Sequence, residues 1–234
     1  MLQSKNKQKI YFYLLILLFL TTSFNFSLIK NINEFSKLKV IDINGLNKID
    51  RNALEQELNL LLSKNIFFIK ENEILELIEN FKFIDQIFIK KILPSKLKIL
   101  AQKTKFMGIT FIDGSKYFIG KNEKLIPYNK FDDNSNLPLI FGNFPISEFL
   151  ILNNIFEKNQ FDIIKIKKYY YHKSKRWDLE LKDGLLIKLP SKDITKALKI
   201  YKTFILNEKI NMTNKTRIID LRIPNQVVIS HEKK

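Results

Sequence analysis

The 234-residue sequence predicts an α+β protein: one N-terminal transmembrane helix, a small β-α-α-β-β domain, and a mainly antiparallel β-domain with two or so helices. Three observations predict this. Residues 10–29 are apolar and uncharged, helical periodicity is confined to a few segments, and short alternating segments separated by turn signals fill most of the second half. The predicted parts are a cytoplasmic tail (1–9), a transmembrane helix (10–29), a linker (30–36), two domains (37–104 and 105–230) and a tail (231–234).

The predicted membrane helix is long enough to cross a bilayer. At about 1.5 Å per residue, residues 10–29 match a hydrocarbon core of roughly 30 Å. A cleaved signal peptide is the alternative, but the first alanine is Ala53, so an Ala-x-Ala-like cleavage site is missing. Lysines flank the segment almost equally, and orientation therefore rests on the tendency of long domains to translocate whatever their charge. We expect a single-pass type II membrane protein with its bulk in the periplasm or at the cell exterior.

The first domain is predicted to have the order β-α-α-β-β. "LKVIDI" alternates like a strand and stops at the turn signal Asn44-Gly45. Asp50 is the predicted N-cap of a helix through Leu62, and a second helix fits residues 71–81. "IDQIFIKKIL" and "KLKILAQK" form two strands joined at Pro94-Ser95. The helical positions predicted to face inward are Leu54, Leu58, Leu61, Ile74, Leu75, Leu77 and Ile78.

The second domain has few helical segments. Two apolar runs surround the turn signal Asp113-Gly114, "LPLIFG" is a buried-looking segment, and helices are predicted over 147–158 and 193–206. Strands are predicted over 163–171, 176–181 and 184–189, with a hairpin at Asp183-Gly184. The stretch "RIIDLRIPNQVVIS", residues 217–230, alternates like one last strand.

These segments carry family motifs. The first domain resembles the POTRA domain of the bacterial FtsQ/DivIB family of cell-division proteins through Val40, Asp42-Ile43-Asn44-Gly45, Asn65-Ile66-Phe67, Ile84, Ile89, Lys91, Pro94, Leu97 and Ile99. Gln102-Lys103-Thr104-Lys105 stands where the family usually has Glu-Arg-x-Pro. The second domain resembles the FtsQ-type β-domain, of alphaproteobacterial form, through Leu137-Pro138, Gly142, Arg176-Trp177, Asp183-Gly184, Leu189-Pro190 and Ile219-Asp220-Leu221-Arg222.

The sequence predicts no enzyme, cofactor, metal site or catalytic residue. Cysteine is absent, which excludes disulfides, thiolate metal sites and cysteine nucleophiles. "GSKYFIGKN" has the wrong glycine spacing for a phosphate-binding loop, and Asn122 stands where a magnesium-binding Ser or Thr is needed. His172 and His231 lack metal-site partners in the sequence and are predicted to be surface residues.

The resemblance implies a non-enzymatic divisome scaffold at the division septum. In the family, the β-domain binds FtsB, which forms a coiled coil with FtsL, and the protein helps control septal peptidoglycan synthesis by the FtsW/FtsI synthase. FtsK is a further expected partner, and a homodimer stays open. Binding is expected by β-augmentation at an open last strand. The expected partner-binding residues are Ile219, Asp220, Leu221, Arg222 and Ile223.

Within that strand, Ile219, Leu221 and Ile223 are predicted to face the core. Asp220 and Arg222 face the other way, where a structural ion pair between them is the alternative to partner binding. The family often has an aromatic residue after the arginine, whereas this chain has Ile223-Pro224, and proline donates no ladder hydrogen bond.

The charge supports a second hypothesis. Lys and Arg number 40 against 24 Asp and Glu, a net charge of +16, which is typical of binders of nucleic acid or anionic membranes and equally expected from an A/T-rich genome. "KIKKYYYHKSKRW", residues 165–177, interleaves basic and aromatic residues, so it suits a membrane-anchored binder of anionic surfaces or nucleic acid. The expected periplasmic location argues against nucleic acid, and a strand hairpin with Lys outward and Tyr inward explains the pattern equally.

Overall fold

A computed structural model describes residues 3–23, 33–128, 136–207 and 216–231. The chain divides into two compact units, Met1–Lys103 and Thr104–Lys234. Part of the predicted membrane segment (24–29), part of the predicted linker (30–32) and residues 232–234 of the predicted tail lie outside the described residues.

Helix α1 runs from Gln3 to Ser23. Every side chain from Ile10 to Leu20 is apolar or aromatic and between 37% and 69% exposed. Within the described ranges, no helix combines the length and the hydropathy that a membrane crossing requires. The spanning helix predicted over 10–29 is therefore not found there.

The remainder of the first unit has the predicted order β-α-α-β-β. Its elements are β1 (Val40–Asn44), α2 (Lys48–Leu58), α3 (Glu71–Ile78), β2 (Ile84–Ile92) and β3 (Lys96–Lys103). The sheet order is β1-β3-β2, with β1 parallel and β2 antiparallel to the central strand. The turn after β1 needs glycine, because Gly45 has φ +91° and a Cβ there would lie 2.2 Å from the Ala101 carbonyl oxygen.

Helix α2 begins earlier than predicted, and its N-cap is Asn47 rather than Asp50. The Asn47 side-chain Oδ1 accepts a hydrogen bond from the Asp50 N–H at 2.8 Å, and its Nδ2 donates to Asp50 Oδ2 at 2.8 Å. Asp50 lies in the first turn, where a carboxylate favours the positive end of the helix dipole. Its Oδ2 also pairs with Lys103 Nζ at 2.8 Å, joining the start of α2 to the end of β3.

The core of the first unit lies between the two helices and the sheet. Its buried residues are Leu38, Ile43, Leu54, Leu58, Leu61, Ile66, Ile69, Ile74, Ile78, Ile84, Leu97, Ile99 and Ala101. The inward positions predicted for α2 are confirmed. In α3 only Ile74 and Ile78 are buried, while Leu75 is 39% exposed and Leu77 half-buried. The helix ends at Ile78 rather than residue 81, and two turns bury only an i, i+4 pair.

Within its described residues, the second unit is one nine-stranded sheet with two α-helices. Its strands are β4 (Phe106–Ile112), β5 (Ser115–Gly120), β6 (Leu125–Pro127), β7 (Leu139–Phe141), β8 (Ile166–Tyr171), β9 (Trp177–Leu181), β10 (Leu186–Lys188), β11 (Thr216–Asp220) and β12 (Val228–His231). The helices are α4 (Ile146–Lys158) and α5 (Ile194–Asn207). The order across the sheet is β12-β11-β10-β9-β8-β7-β4-β5-β6. Most neighbours are antiparallel, as predicted.

Both helices form crossovers between parallel strands. Helix α4 connects β7 to β8, and α5 connects β10 to β11, each pair being parallel. Their apolar faces contribute to one buried cluster with the strands beneath them. This cluster contains Phe149, Leu152, Phe156, Tyr169, Trp177, Leu179, Ile187, Ala197, Leu198, Ile219 and Leu221. The second crossover therefore places β11 beside β10.

Tyr169 is the largest side chain buried below 2% exposure in the second unit. Its hydroxyl donates to Asn153 Oδ1 at 3.1 Å, and Asn153 Nδ2 donates to the Phe149 carbonyl oxygen at 2.8 Å. Burial raises the pKa of the Tyr169 hydroxyl, so it stays a neutral donor. The helix α4 thus supplies the polar partner that makes burial of this hydroxyl acceptable.

Asn153→Ala should lower the free energy of unfolding of the second unit by about 1–3 kcal/mol, because the Tyr169 hydroxyl then has no acceptor. Urea denaturation followed by Trp177 fluorescence measures this, since Trp177 is the only tryptophan and is 3% exposed in this core. Adding Tyr169→Phe removes the orphaned hydroxyl, and the double variant should be more stable than the sum of the single losses indicates. Strict additivity would contradict the network.

Candidate partner-binding edge

The C-terminal stretch predicted as one strand is a hairpin. Strands β11 and β12 pair antiparallel, with Ile218 opposite Ser230, Ile219 opposite Ile229 and Asp220 opposite Val228. The turn has a local cause. Pro224 lacks an N–H for a ladder, and Asn225 adopts φ +61°, a left-handed conformation that asparagine tolerates.

The hairpin corrects the predicted position of the open edge. Strand β11 lies between β10 and β12, so both of its sides are already paired. Among the described strands, the sheet ends at β12 on one side and at β6 on the other. Val228 and Ile229 of β12 are 42% and 36% exposed. The C-terminal edge is therefore Val228–His231 rather than residues 219–223.

The five predicted binding residues lie in different environments. Ile219 and Leu221 are buried at 0% and 3% exposure, as their alternation predicts. Asp220 is half-buried and Arg222 is exposed. Ile223 is 47% exposed, so the prediction that it faces the core is wrong. The last contact with β10 is made by the Leu221 N–H, which donates to the Lys188 carbonyl oxygen at 2.9 Å, and the chain leaves the sheet after it. Partner binding by these residues stays a prediction.

Asp220 and Arg222 form the ion pair that the alternative interpretation anticipated. Arg222 Nε lies 2.8 Å from Asp220 Oδ1 and 2.9 Å from Oδ2, Nη2 also donates to Oδ2, and the Arg222 backbone N–H donates to Oδ1 at 3.0 Å. The hydrogen bonds from Arg222 outweigh partial burial and hold the pKa of the Asp220 carboxyl below its usual value. The pair fixes the first residues of the turn.

A groove lies beside this turn, between it and the N-terminal end of α5. Its cavity volume is about 250 Å³. The lining residues are Pro190, Ser191, Lys192, Asp193, Lys196, Ala197, Ile200, Leu221, Arg222, Ile223, Pro224, Asn225 and Gln226. Three of the five predicted residues line it. The sequence reasoning missed the segment 190–200, for which the Leu189-Pro190 step before a helix was the available signal.

The aromatic residues of 165–177 are packed or hydrogen-bonded, while Lys165, Lys167, Lys173 and Lys175 are exposed. Tyr169 and Trp177 are buried in the core, and the hydroxyls of Tyr170 and Tyr171 each donate at 2.7 Å, to Glu180 and Glu148. Lys168 Nζ lies 3.0 Å from Glu180, and this hydrogen bond raises the pKa of Lys168. Rings packed or tethered in this way are not presented for stacking on bases.

The described residues contain no group of three or more His, Cys, Asp or Glu side chains arranged to hold a metal ion. His172 Nε2 lies 2.9 Å from Asp178 Oδ2, so this histidine has a carboxylate partner. The side chain of His231 is not described.

The fold and this edge define a class: a β-α-α-β-β domain followed by a sheet domain with a C-terminal edge hairpin. The family model described as "POTRA domain, FtsQ-type" matches residues 36–100, and "Cell division protein FtsQ/DivIB, C-terminal" matches residues 112–222. The chain belongs to the FtsQ/DivIB family of bacterial cell-division proteins. The second match ends before β12.

Individual relatives agree with this assignment. The chain is 27% identical over 201 residues to the cell division protein FtsQ of Rickettsia bellii, covering 82% of this chain and 72% of the relative. It is 21% identical over 145 residues to FtsQ of Rhizobium meliloti, covering 62% and 47%. The major extracytoplasmic domain of DivIB from Geobacillus stearothermophilus is 10% identical, with coverage of 48% and 99% and a TM-score of 0.31.

Asp220→Asn should weaken the C-terminal hairpin by up to about 1 kcal/mol at neutral pH, the range for a partly exposed ion pair. The folded-state pKa of Asp220 is lowered, so its contribution is complete above about pH 4 and is lost as pH falls through the folded pKa. Melting temperatures of wild type and Asp220→Asn should differ at pH 7 and converge near pH 2. A difference that persists unchanged in acid would contradict this role.

Proposed function

We propose that this protein is a non-catalytic scaffold of the divisome, which links septal cell-division proteins and helps control septal peptidoglycan synthesis. Membership of the FtsQ/DivIB family supports this proposal. The observation that carries it is the open edge strand β12 at one end of the nine-stranded sheet. Such an edge offers backbone N–H and C=O groups to a second chain and requires no catalytic group.

The partner is an extended segment of FtsB, which acts together with FtsL in a coiled coil. Alternate residues of an edge strand direct their backbone groups outward, so an added strand gains ladder hydrogen bonds along Val228–His231. A four-residue ladder is short, and side-chain contacts have to contribute the remainder of the affinity. The groove beside the turn is continuous in sequence with this edge through residues 221–226.

The charge of the groove favours an acidic segment. Lys192 and Lys196 line it against the single carboxylate of Asp193, while Arg222 is paired with Asp220. In this arrangement Ile219 and Leu221 hold β11 in the core, while Arg222 and Ile223 contact the partner. The FtsW/FtsI synthase is then reached through the FtsB–FtsL coiled coil rather than by a catalytic step in this chain.

The protein acts from the inner membrane, with α1 and the apolar residues that follow it as a single-pass type II anchor and the β-α-α-β-β domain and the second unit in the periplasm. The exposed apolar side chains from Ile10 to Leu20 support this placement, because such a surface is unfavourable in water. Family membership supports it as well.

In-cell photocrosslinking tests the edge. A photoreactive residue at Val228 or Ser230 should form adducts with a small single-pass coiled-coil protein, and one at Ile223 should do so more weakly from the groove. Ile164 is the matched control, because it is 76% exposed in the same unit but lies in a 3₁₀ turn away from β12. Adducts of equal yield from Ile164, or none from β12 in a folded and localised protein, would refute the proposed edge.

Leu15→Lys combined with Leu18→Lys should release the protein from the membrane fraction, because each lysine costs about 2.5–3.5 kcal/mol near a bilayer centre. Alkaline extraction and fractionation measure this. Leu15→Ala with Leu18→Ala is the control that keeps the segment apolar. Retention of the lysine variant in the membrane fraction would show that another part of the chain supplies the attachment.

A further inference from the structure

One end of the first unit carries a cluster of exposed apolar side chains. Three segments meet there: residues 35–39, which lead into β1, the loop 59–68 between the helices, and the 92–95 turn between β2 and β3. The exposed apolar side chains at this end are Phe35, Leu60, Leu62, Phe67, Phe68 and Leu93, between 37% and 79% exposed. We call this surface the entry end, because the chain from α1 enters the domain here.

Backbone hydrogen bonds hold the three segments together. The Leu38 N–H donates to the Lys64 carbonyl oxygen at 2.8 Å, the Ile66 N–H to Ser36 at 2.9 Å, and the Lys39 N–H to Ser95 at 2.8 Å. An antiparallel bridge also joins Lys37 to Asn65. The apolar side chains therefore project from a fixed backbone.

Phe67 and Phe68 are exposed because the loop backbone forms a turn that starts at Asn65. The Asn65 side-chain Oδ1 accepts from the Phe67 N–H and its carbonyl oxygen accepts from the Phe68 N–H, both at 3.0 Å. Ile66 and Ile69 on either side are buried at 0% and 2% exposure, while Phe68 is 79% exposed. Burial of the flanking isoleucines thus fixes the two phenylalanines on the outside.

The opposite end of the domain differs in position and composition. Strand β1 separates the two ends by five residues, about 16 Å at roughly 3.3 Å per residue. At that far end lie the start of α2 and the last residue of β3, where Asp50 pairs with Lys103 and the chain leaves for the second unit. The domain is therefore entered at its apolar end and left at its polar end.

The entry end is also basic. Lys39 and Lys70 are exposed there; of the acidic residues near it, Glu34 and Glu73 are paired with Lys37 and Lys64, and Glu71 is exposed beside Lys70. The chain from Leu58 to Lys70 contains no acidic residue. Phenylalanines and leucines surrounded by lysines match the interface of an anionic bilayer, where apolar side chains enter the acyl boundary and lysines meet phosphate headgroups.

Chain length connects this surface to the bilayer. Only residues 30–35 lie between Ile29, the last residue of the apolar N-terminal segment, and Ser36, a distance of at most about 25 Å for an extended chain. A domain on so short a connection has its entry end within reach of the membrane surface.

We propose that the entry end of this domain docks into the anionic membrane interface, with Phe67 and Phe68 inserted among the lipids. This proposal rests on the membrane attachment proposed above. Docking fixes the height and orientation of this domain above the bilayer, which attachment through α1 alone does not do.

Single-cysteine labelling tests the docking, because the chain has no cysteine of its own. Full-length Phe68→Cys, labelled with an environment-sensitive fluorophore, is reconstituted in nanodiscs of phosphatidylethanolamine and phosphatidylglycerol carrying doxyl-quencher lipids. Ile49→Cys is the matched control, since it is 50% exposed in the same domain at the far end of β1. The Phe68 label should be blue-shifted and quenched at least about two-fold more than the Ile49 label.

Leu17→Cys separates the two proposals. Quenching at position 17 with no quenching at position 68 overturns the docking alone, whereas no quenching at position 17 overturns the membrane attachment. A Phe68 label that is blue-shifted but not quenched by lipid also overturns the docking, since a protein surface then covers this end. Replacing phosphatidylglycerol by phosphatidylcholine should reduce the quenching at position 68. An unchanged signal would show that the lysines do not contribute to docking through anionic headgroups.

Discussion

The parallel pairing of β10 with β11 is the contact on which the C-terminal half of the protein depends. Parallel neighbours require a crossover, and α5 supplies it by burying Ala197 and Leu198 on the same face that α4 covers. Because β10 already pairs with one side of β11, the chain that turns back after Leu221 can pair with β11 only on its other side. Burial of α5, which precedes β11 in the sequence, therefore determines that β12 forms the exposed edge.

The same dependence explains what sequence reasoning could and could not predict. Turn signals at Gly45, Gly114 and Gly184 bound strands because positive φ is a local requirement, and each boundary was found within a few residues. Leu54, Leu58 and Leu61 were found because a helical face repeats locally. Pairing is not local. The sequence "RIIDLRIPNQVVIS" contains no signal that its first half pairs with a strand on each side. Its continuous alternation also gives no indication that the strand ends before Pro224.

The polar details were harder to predict for a related reason. Asp50 has the chemistry of an N-cap, yet Asn47 takes that position because the helix gains another turn and Asp50 gains a second partner in Lys103. The basic stretch 165–177 looks like a binding surface in sequence, yet Glu180 and Glu148 accept hydrogen bonds from its tyrosines. In both places a residue distant in sequence supplies the contact that decides the role.

The two ends of the nine-stranded sheet differ in what they can accept. Strand β6 is three residues long and finishes in Pro127, which lacks an N–H, so this end is a poor template for a further strand. Strand β12 is the extendable end among the described strands. With one extendable edge per protomer, edge-to-edge pairing of this sheet ends at two copies and does not propagate into a polymer of the chain.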